Sequence, residues 1–219
     1  KGIQKERTIS DAFDQTTSGE SLVNMMDLDL LVGSGGVLSH APRREQSAKM
    51  LIDAFMPEGI TQLAVDSIFM MPQLGVLAHV DKKEFSEDAR KAALEVFHKD
   101  CLIRLGTCIT PIGKAKSGEV ILNVVLTFSD GTTKEKELIS GEIVRLEAPY
   151  EPIQAVLKPS KNMDIGGGKG QEIETNIFGG TVGLIFDGRD RPITIPTNQE
   201  ERLESIRSWS DALNEYPKN

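Results

Sequence analysis

Apolar and polar positions divide the chain into two regimes. Up to about residue 100, strand-like apolar runs alternate with helical spacing. Leu28, Leu30, Leu31 and Val32 predict a buried strand, which breaks at Gly33, Ser34, Gly35 and Gly36 before Pro42 opens a helix. In that helix Ala48, Leu51, Ile52 and Phe55 recur at i, i+3, i+4 and i+7, and Pro57 and Gly59 end it. A short strand follows over Thr61 to Val65, with Asp66 and Ser67 at its end. Pro72 then starts a helix over Leu74 to Val80, and Ser86 caps another whose Ala89, Ala92, Ala93, Val96 and Phe97 face inward. Ahead of all these, residues 5–17 predict a short helix carrying Ile9 and Phe13 on one face, and Ser21 to Met26 a second short segment.

From Cys101 the period shortens to two. LIRLGTCITPIG reads as a strand, and in EVILNVVLTF the residues Val120, Leu122, Val124, Leu126 and Phe128 occupy one face. Asp130 and Gly131 mark a hairpin turn into TTKEKELI, and QAVLK, EIETNIF, TVGLIFD and ITI add further strands. The last segment returns to helix: Thr197 with Glu200 fits a capping box, and Leu203, Ile206, Trp209, Leu213 and Tyr216 form its apolar side. These patterns predict an α/β unit over residues 1–100, then a mostly β module over residues 101–219 closed by a carboxy-terminal helix.

Composition narrows the function classes. The net charge is -8, made of -5 in residues 1–100 (11 basic, 16 acidic) and -3 in the rest (14 basic, 17 acidic), so neither half suits a nucleic-acid backbone. No apolar run approaches the roughly 18 residues of a membrane span. Cys101 and Cys108 lie in apolar, strand-like surroundings, which predicts buried reduced thiols in a cytoplasmic protein. The chain opens on Lys1 rather than methionine and reads as a fragment or a processed piece.

Candidate chemistry centres on the glycine turn. Glycines there let the backbone take positive φ and let a ligand approach main-chain N–H groups without a Cβ in the way. A tight turn without any ligand needs the same residues. Read as a dinucleotide-binding turn, the GxGG run lacks both the full GxGxxG pattern and an acidic residue on a second strand about 20 residues on. The run DIGGGKG, Asp164 to Gly170, follows Lys169 with glycine where a phosphate loop needs Ser or Thr, and reads as a surface loop. Gly179, Gly180 and Gly183 read as a bulge or a close backbone crossing, and Asp187, Gly188, Arg189 and Asp190 as a charged hairpin tip. His40, His79 and His98 have no partners at ligand spacing, and no Ser/His/Asp set or CxxC pair is present.

The pair LLVGSGGVLSHAP and LAVDSIFMMPQLGVLA resembles the nucleotide-binding subdomain of the actin and heat-shock chaperone ATPase superfamily. More specifically, GSGGVLSHAPRR, LAVDSIFMMP, LGTC and GGTVGLIFDGRDRP are similar to the carboxy-terminal part of the accessory proteins encoded beside cobalamin-dependent glutamate mutase and related aminomutases. The likeness covers most of residues 1–217. It implies the adenosine-side half of an actin-like ATPase plus a β-rich module, acting in an ATP-driven reactivating chaperone that swaps damaged cobalamin out of the mutase.

On that resemblance Gly33, Ser34, Gly35 and Gly36 form the adenosine turn, Arg43 meets the base or an anion, and Asp66 stands at the cleft. For Arg43 and Arg44 the competing reading is a solvated helix face, and for Asp66 a cap on the following turn. ATP or ADP with magnesium is then the cofactor of the full-length protein, and this chain alone holds none tightly. The earlier DxGST-like phosphate loop does not occur in the sequence, so the resemblance implies no hydrolysis by this chain alone, no catalytic residue and no metal ligand in it. The implied partners are the mutase or aminomutase, with an amino-terminal half or a second subunit completing the cleft. A non-enzymatic interaction module, with a purely structural glycine turn, is the alternative.

Overall fold

A computed structural model describes residues 24–79 and 86–216. The helix expected over residues 5–17 lies outside them. After a single 3-10 turn, Met25–Asp27, the first strand β1 spans Leu30–Gly33. One helical turn, α1 (Gly36–Ser39), leads into α2 (Arg44–Phe55). Strand β2 (Gly59–Asp66) is followed by α3 (Met71–His79) and α4 (Glu87–Val96), and a π-turn over Phe97–Cys101 delivers the chain to β3 (Leu102–Thr110). Strands β4 (Ile112–Gly113), β5 (Val120–Thr127), β6 (Thr133–Ile139), β7 (Ile143–Leu146), β8 (Pro152–Pro159), β9 (Met163–Asp164), β10 (Ile173–Phe178) and β11 (Leu184–Asp187) follow, and α5 (Gln199–Leu213) ends the fold.

The strands form a five-stranded sheet, β1-β2-β3-β11-β7, a four-stranded antiparallel sheet, β10-β8-β5-β6, and a small β4-β9 pair. In the larger sheet β1 and β2 run parallel, β3 is antiparallel to β2, β11 is parallel to β3, and β7 is antiparallel to β11. The boundary expected near residue 100 therefore falls between two paired strands of one sheet, with Asp66 opposite Leu102 and Gly59 opposite Thr110. The two sequence regimes share a core because β2 needs a neighbour on its second edge and β3 supplies it.

Two clusters sandwich this sheet. On one face Ala48, Leu51 and Ile52 of α2 and Leu213 of α5 pack on Leu63, Val65, Leu105, Cys108, Ile143 and Ile185. On the other, Ile109, Leu184 and Phe186 meet Leu122, Val124, Leu126, Ile153, Leu157 and Ile177 of the second sheet. Each such buried aliphatic side chain contributes roughly 1.5–3 kcal/mol against exposure. The order is helix layer, mixed sheet, antiparallel sheet.

Several expectations change in detail. Among the described residues β1 is an edge strand rather than a buried one, with Leu30 exposed and Leu31 and Val32 half-buried. In α4 only Ala93 is buried, while Ala92 and Val96 face outward, because α3 and α4 pack mainly on each other. A bulge between Val120 and Leu122 turns Ile121 inward beside Leu122 and leaves Val120 exposed. ITI forms no strand. The cap of α5 is Asn198, whose Oδ1 accepts the Glu200 and Glu201 N–H groups, one residue beyond the Thr197 expected. Leu203 and Ile206 on the helix, and Tyr216 beyond its end, are exposed. Gly180 and Gly183 do serve close backbone crossings: a Cβ at Gly180 would sit 2.5 Å from the Leu105 carbonyl, and one at Gly106 1.7 Å from the Gly183 oxygen.

Candidate nucleotide site

The parallel pairing of β1 and β2, with Gly33 opposite Val65, brings the ends of both strands to one edge of the sheet. Gly33 leaves space for two leucines, since a Cβ would lie 2.8 Å from Leu38 Cδ1 and 2.9 Å from Leu51 Cδ2 and both side chains would have to shift. Gly35 takes φ of 105° and its carbonyl accepts the Leu38 and Ser39 N–H groups, which folds α1 directly onto the strand end. Among the described residues neither Gly35 nor Gly36 has an atom within 4 Å of where a Cβ would stand, so the turn is open on that side.

Asp66 is fully buried at the end of β2. Its carboxylate accepts the Met70 N–H at 3.1 Å and the Met71 N–H at 2.9 Å, capping the start of α3. Ser34 Oγ donates to Asp66 Oδ2 at 3.3 Å, and Ser39 Oγ donates to the Asp66 carbonyl at 2.6 Å. The structure thus gathers Gly33, Ser34, Gly35, Gly36 and Asp66, and it gives Asp66 the capping role while holding it beside the turn. Two backbone donors and a hydroxyl satisfy a buried anion that would otherwise be costly.

Arg43 is not part of that cluster. It stands at the N-cap of α2, where its Nη2 donates to Glu45 Oε1 at 3.0 Å and its N–H to Gln46 Oε1. Glu45 also lies 3.4 Å from Arg145, so Arg43 belongs to an ion-pair chain that links α2 to β7. Arg44 donates to the Ser39 carbonyl at 3.0 Å and ties α2 back to α1.

The remaining candidates have local roles. His40 and His79 each meet the carbonyl four residues before them, and His98 sits edge-on to Phe97. In the DIGGGKG loop Asp164 Oδ1 accepts the Gly166 and Gly168 N–H groups, so those donors are already used. Among the described residues no group of three or more His, Cys, Asp or Glu could hold a metal ion.

The segment Asp187 to Asp190 overturns its expectation as a hairpin tip. Asp187 and Arg189 are buried. Arg189 reaches Asp187 through Nε and Nη2, both at 2.9 Å, and its Nη1 lies 2.8 Å from Asp53 on α2. Arg191 Nη2 donates to Asp187 at 2.8 Å and to Thr110 Oγ1 at 3.2 Å. The Arg189 guanidinium stacks 5.0 Å from the Trp209 ring, whose Nε1 donates to the Gly141 carbonyl at 2.9 Å. Burial on its own would raise the Asp187 carboxyl, but the bonds from Arg189 and the charges of Arg191 and Arg189 outweigh it and hold the group below the usual carboxylate range. This bracket joins α2, β11 and α5, and only the Asp-x-Arg-x-Arg spacing signalled it in the sequence.

Residues 3–100 match the family model described as MutL protein, the family of glutamate mutase accessory, reactivase-like proteins. That span contains the glycine turn and Asp66. No curated protein and no solved structure matches the chain.

Proposed function

We propose that this chain is the carboxy-terminal portion of an ATP-dependent reactivating chaperone for a cobalamin-dependent glutamate mutase or aminomutase. The turn Gly33 to Gly36 and Asp66 supply the adenosine side of the nucleotide cleft, and the β-rich remainder meets the mutase. The observation that carries this reading is the convergence of the open glycine turn and Asp66 at one end of a parallel strand pair, inside the span that matches the MutL family. Crevices at such strand ends are the usual ligand sites of α/β sheets. β1 has no strand on its outer side among the described residues, which suits an actin-like fold continued by another segment.

Phosphates and magnesium find no matching loop in this sequence, so the nucleotide binds this chain weakly and a longer polypeptide tightly. Calorimetric titration of ADP into the chain, and into the polypeptide extended along its coding sequence, tests this. The extended form should bind ADP and, with ATP, release inactive cobalamin from the mutase; Gly35→Val should abolish both. The full capping role of Asp66 favours the competing reading of an interaction module with a structural turn. On that reading Gly35→Val changes stability alone and neither form binds ADP.

A further inference from the structure

A groove of about 740 Å3 runs beside β3, bounded by His98 and Lys99 of the π-turn, Tyr150 of the β7–β8 connection, and Gly180 and Thr181 ahead of β11. Leu102 and Ile103 line it with apolar surface. Its far wall is set by backbone: the Thr181 N–H and Oγ both donate to the Arg104 carbonyl, and the absence of a side chain at Gly180 permits the approach. Tyr150, half of it exposed, packs 5.5 Å from the Phe178 ring.

Arg104 is the anomaly in this groove. Its guanidinium carbon lies 5.9 Å from the centre of the Tyr150 ring, and among the described residues it meets no carboxylate and no carbonyl. Arg145 of the same sheet is committed to Glu45, Glu147 and the Val182 carbonyl, and Arg189 and Arg191 to Asp187. A half-buried cation that meets no anion among the described residues has lost hydration and gained a ring face. The lining contains Lys99, His98 and Arg104 and no carboxylate, although the whole chain carries a net charge of -8. Among the described residues Lys99 pairs with Glu95 of α4, an exposed contact that water weakens.

We propose that this groove binds an acidic peptide segment of a partner protein, its carboxylates meeting Arg104 and Lys99 and an apolar or aromatic side chain resting on Leu102, Ile103 and Tyr150. The groove is open along its side, whereas a pocket for a small molecule encloses most of its ligand. An apolar floor with arginine at the rim and an aromatic face beside it is the arrangement that reads acidic motifs. The inference stands apart from the glycine turn and does not require nucleotide.

The test is fluorescence anisotropy with a fluorescein-labelled Glu-rich peptide carrying one Phe, against its Gln-for-Glu counterpart, with ADP and inorganic phosphate as competitors. The acidic peptide should bind and weaken with added salt, and the Gln counterpart should not bind. Arg104→Gln should weaken binding about tenfold, as expected for loss of a charge-assisted contact. Tyr150→Ala should weaken it less. Thermal melting of Arg104→Gln should match the parent, since the guanidinium has no partner among the described residues beyond one ring. No binding of the acidic peptide, equal binding by Arg104→Gln, or displacement of the peptide by ADP or phosphate would each overturn the proposal. Loss of ADP binding at the glycine turn, by contrast, leaves it standing.

Discussion

The turn after β1 and the turn after β11 are built from similar letters and do opposite things. Each follows a strand of the same sheet, and each combines glycine with a buried aspartate. After β1, no described atom stands near a Cβ placed on Gly35 or Gly36, and Asp66 accepts hydrogen bonds from two backbone N–H groups and a hydroxyl. After β11, a Cβ on Gly188 would lie 2.5 Å from the Ile139 carbonyl, and Asp187 is clamped by two arginines. Polar chemistry at the first turn leaves room for a ligand; at the second it binds three elements together.

The sharpest way to break this contrast is to remove the anion of the second turn. Asp187→Ala leaves Arg189 and Arg191 buried and partly unpaired, and should cost about 3–5 kcal/mol in denaturant unfolding. A loss no greater than that of an exposed substitution would sink the structural role. The same carboxyl sets a pH dependence. Its folded-state pKa lies below the unfolded value of about 3.9, so its contribution is complete above that pH and fades as the pH falls towards the folded value. Asp187→Asn should lack that part of the acid limb, as read by fluorescence of Trp209, the only tryptophan.

Glycine substitutions give the next largest effect. Gly106→Ala drives a methyl group into the Gly183 oxygen and should cost about 3 kcal/mol. Gly36→Ala meets nothing and should change stability by less than about 0.5 kcal/mol. If the turn binds adenosine by close backbone approach, Gly36→Ala weakens ADP binding to the extended polypeptide even so. Asp66→Ala should cost about 1–3 kcal/mol, with faster amide exchange confined to α3 and the glycine turn. Smallest is the thiol effect: burial, with the nearby Asp187 charge, pushes the Cys108 thiol up to about 12, and burial also raises Cys101. Neither should react with a disulfide reagent near neutral pH until the chain unfolds.

Local elements were legible in the sequence and their assembly was not. Ala48, Leu51 and Ile52 pack as their spacing predicts, and Asp130-Gly131 makes the β5–β6 hairpin, because both depend on residues a few positions apart. The glycine turn was legible for the same reason, and its meeting with Asp66 follows from parallel strands. The pairing of β2 with β3 across residue 100 carries no local mark. Asp187 and Arg189 read as surface residues, since charge is normally solvated; their partners Asp53 and Trp209 lie far away in sequence. The tie of Arg43 to Glu45 had no signal in the sequence, where Glu45 looks like an ordinary first-turn acid.

The insertion of β11 between β3 and β7 also sets an order of events during synthesis. β3 can pair with β2 as soon as both have left the ribosome, but its other edge stays bare until Leu184–Asp187 arrive some seventy-five residues later. Over that interval Leu105 and Ile109 belong to an apolar strand with unsatisfied backbone, a template for unwanted pairing between nascent chains. Closing the sheet is therefore a late, long-range step, and chains cut short ahead of β11 should aggregate rather than accumulate as a smaller folded unit.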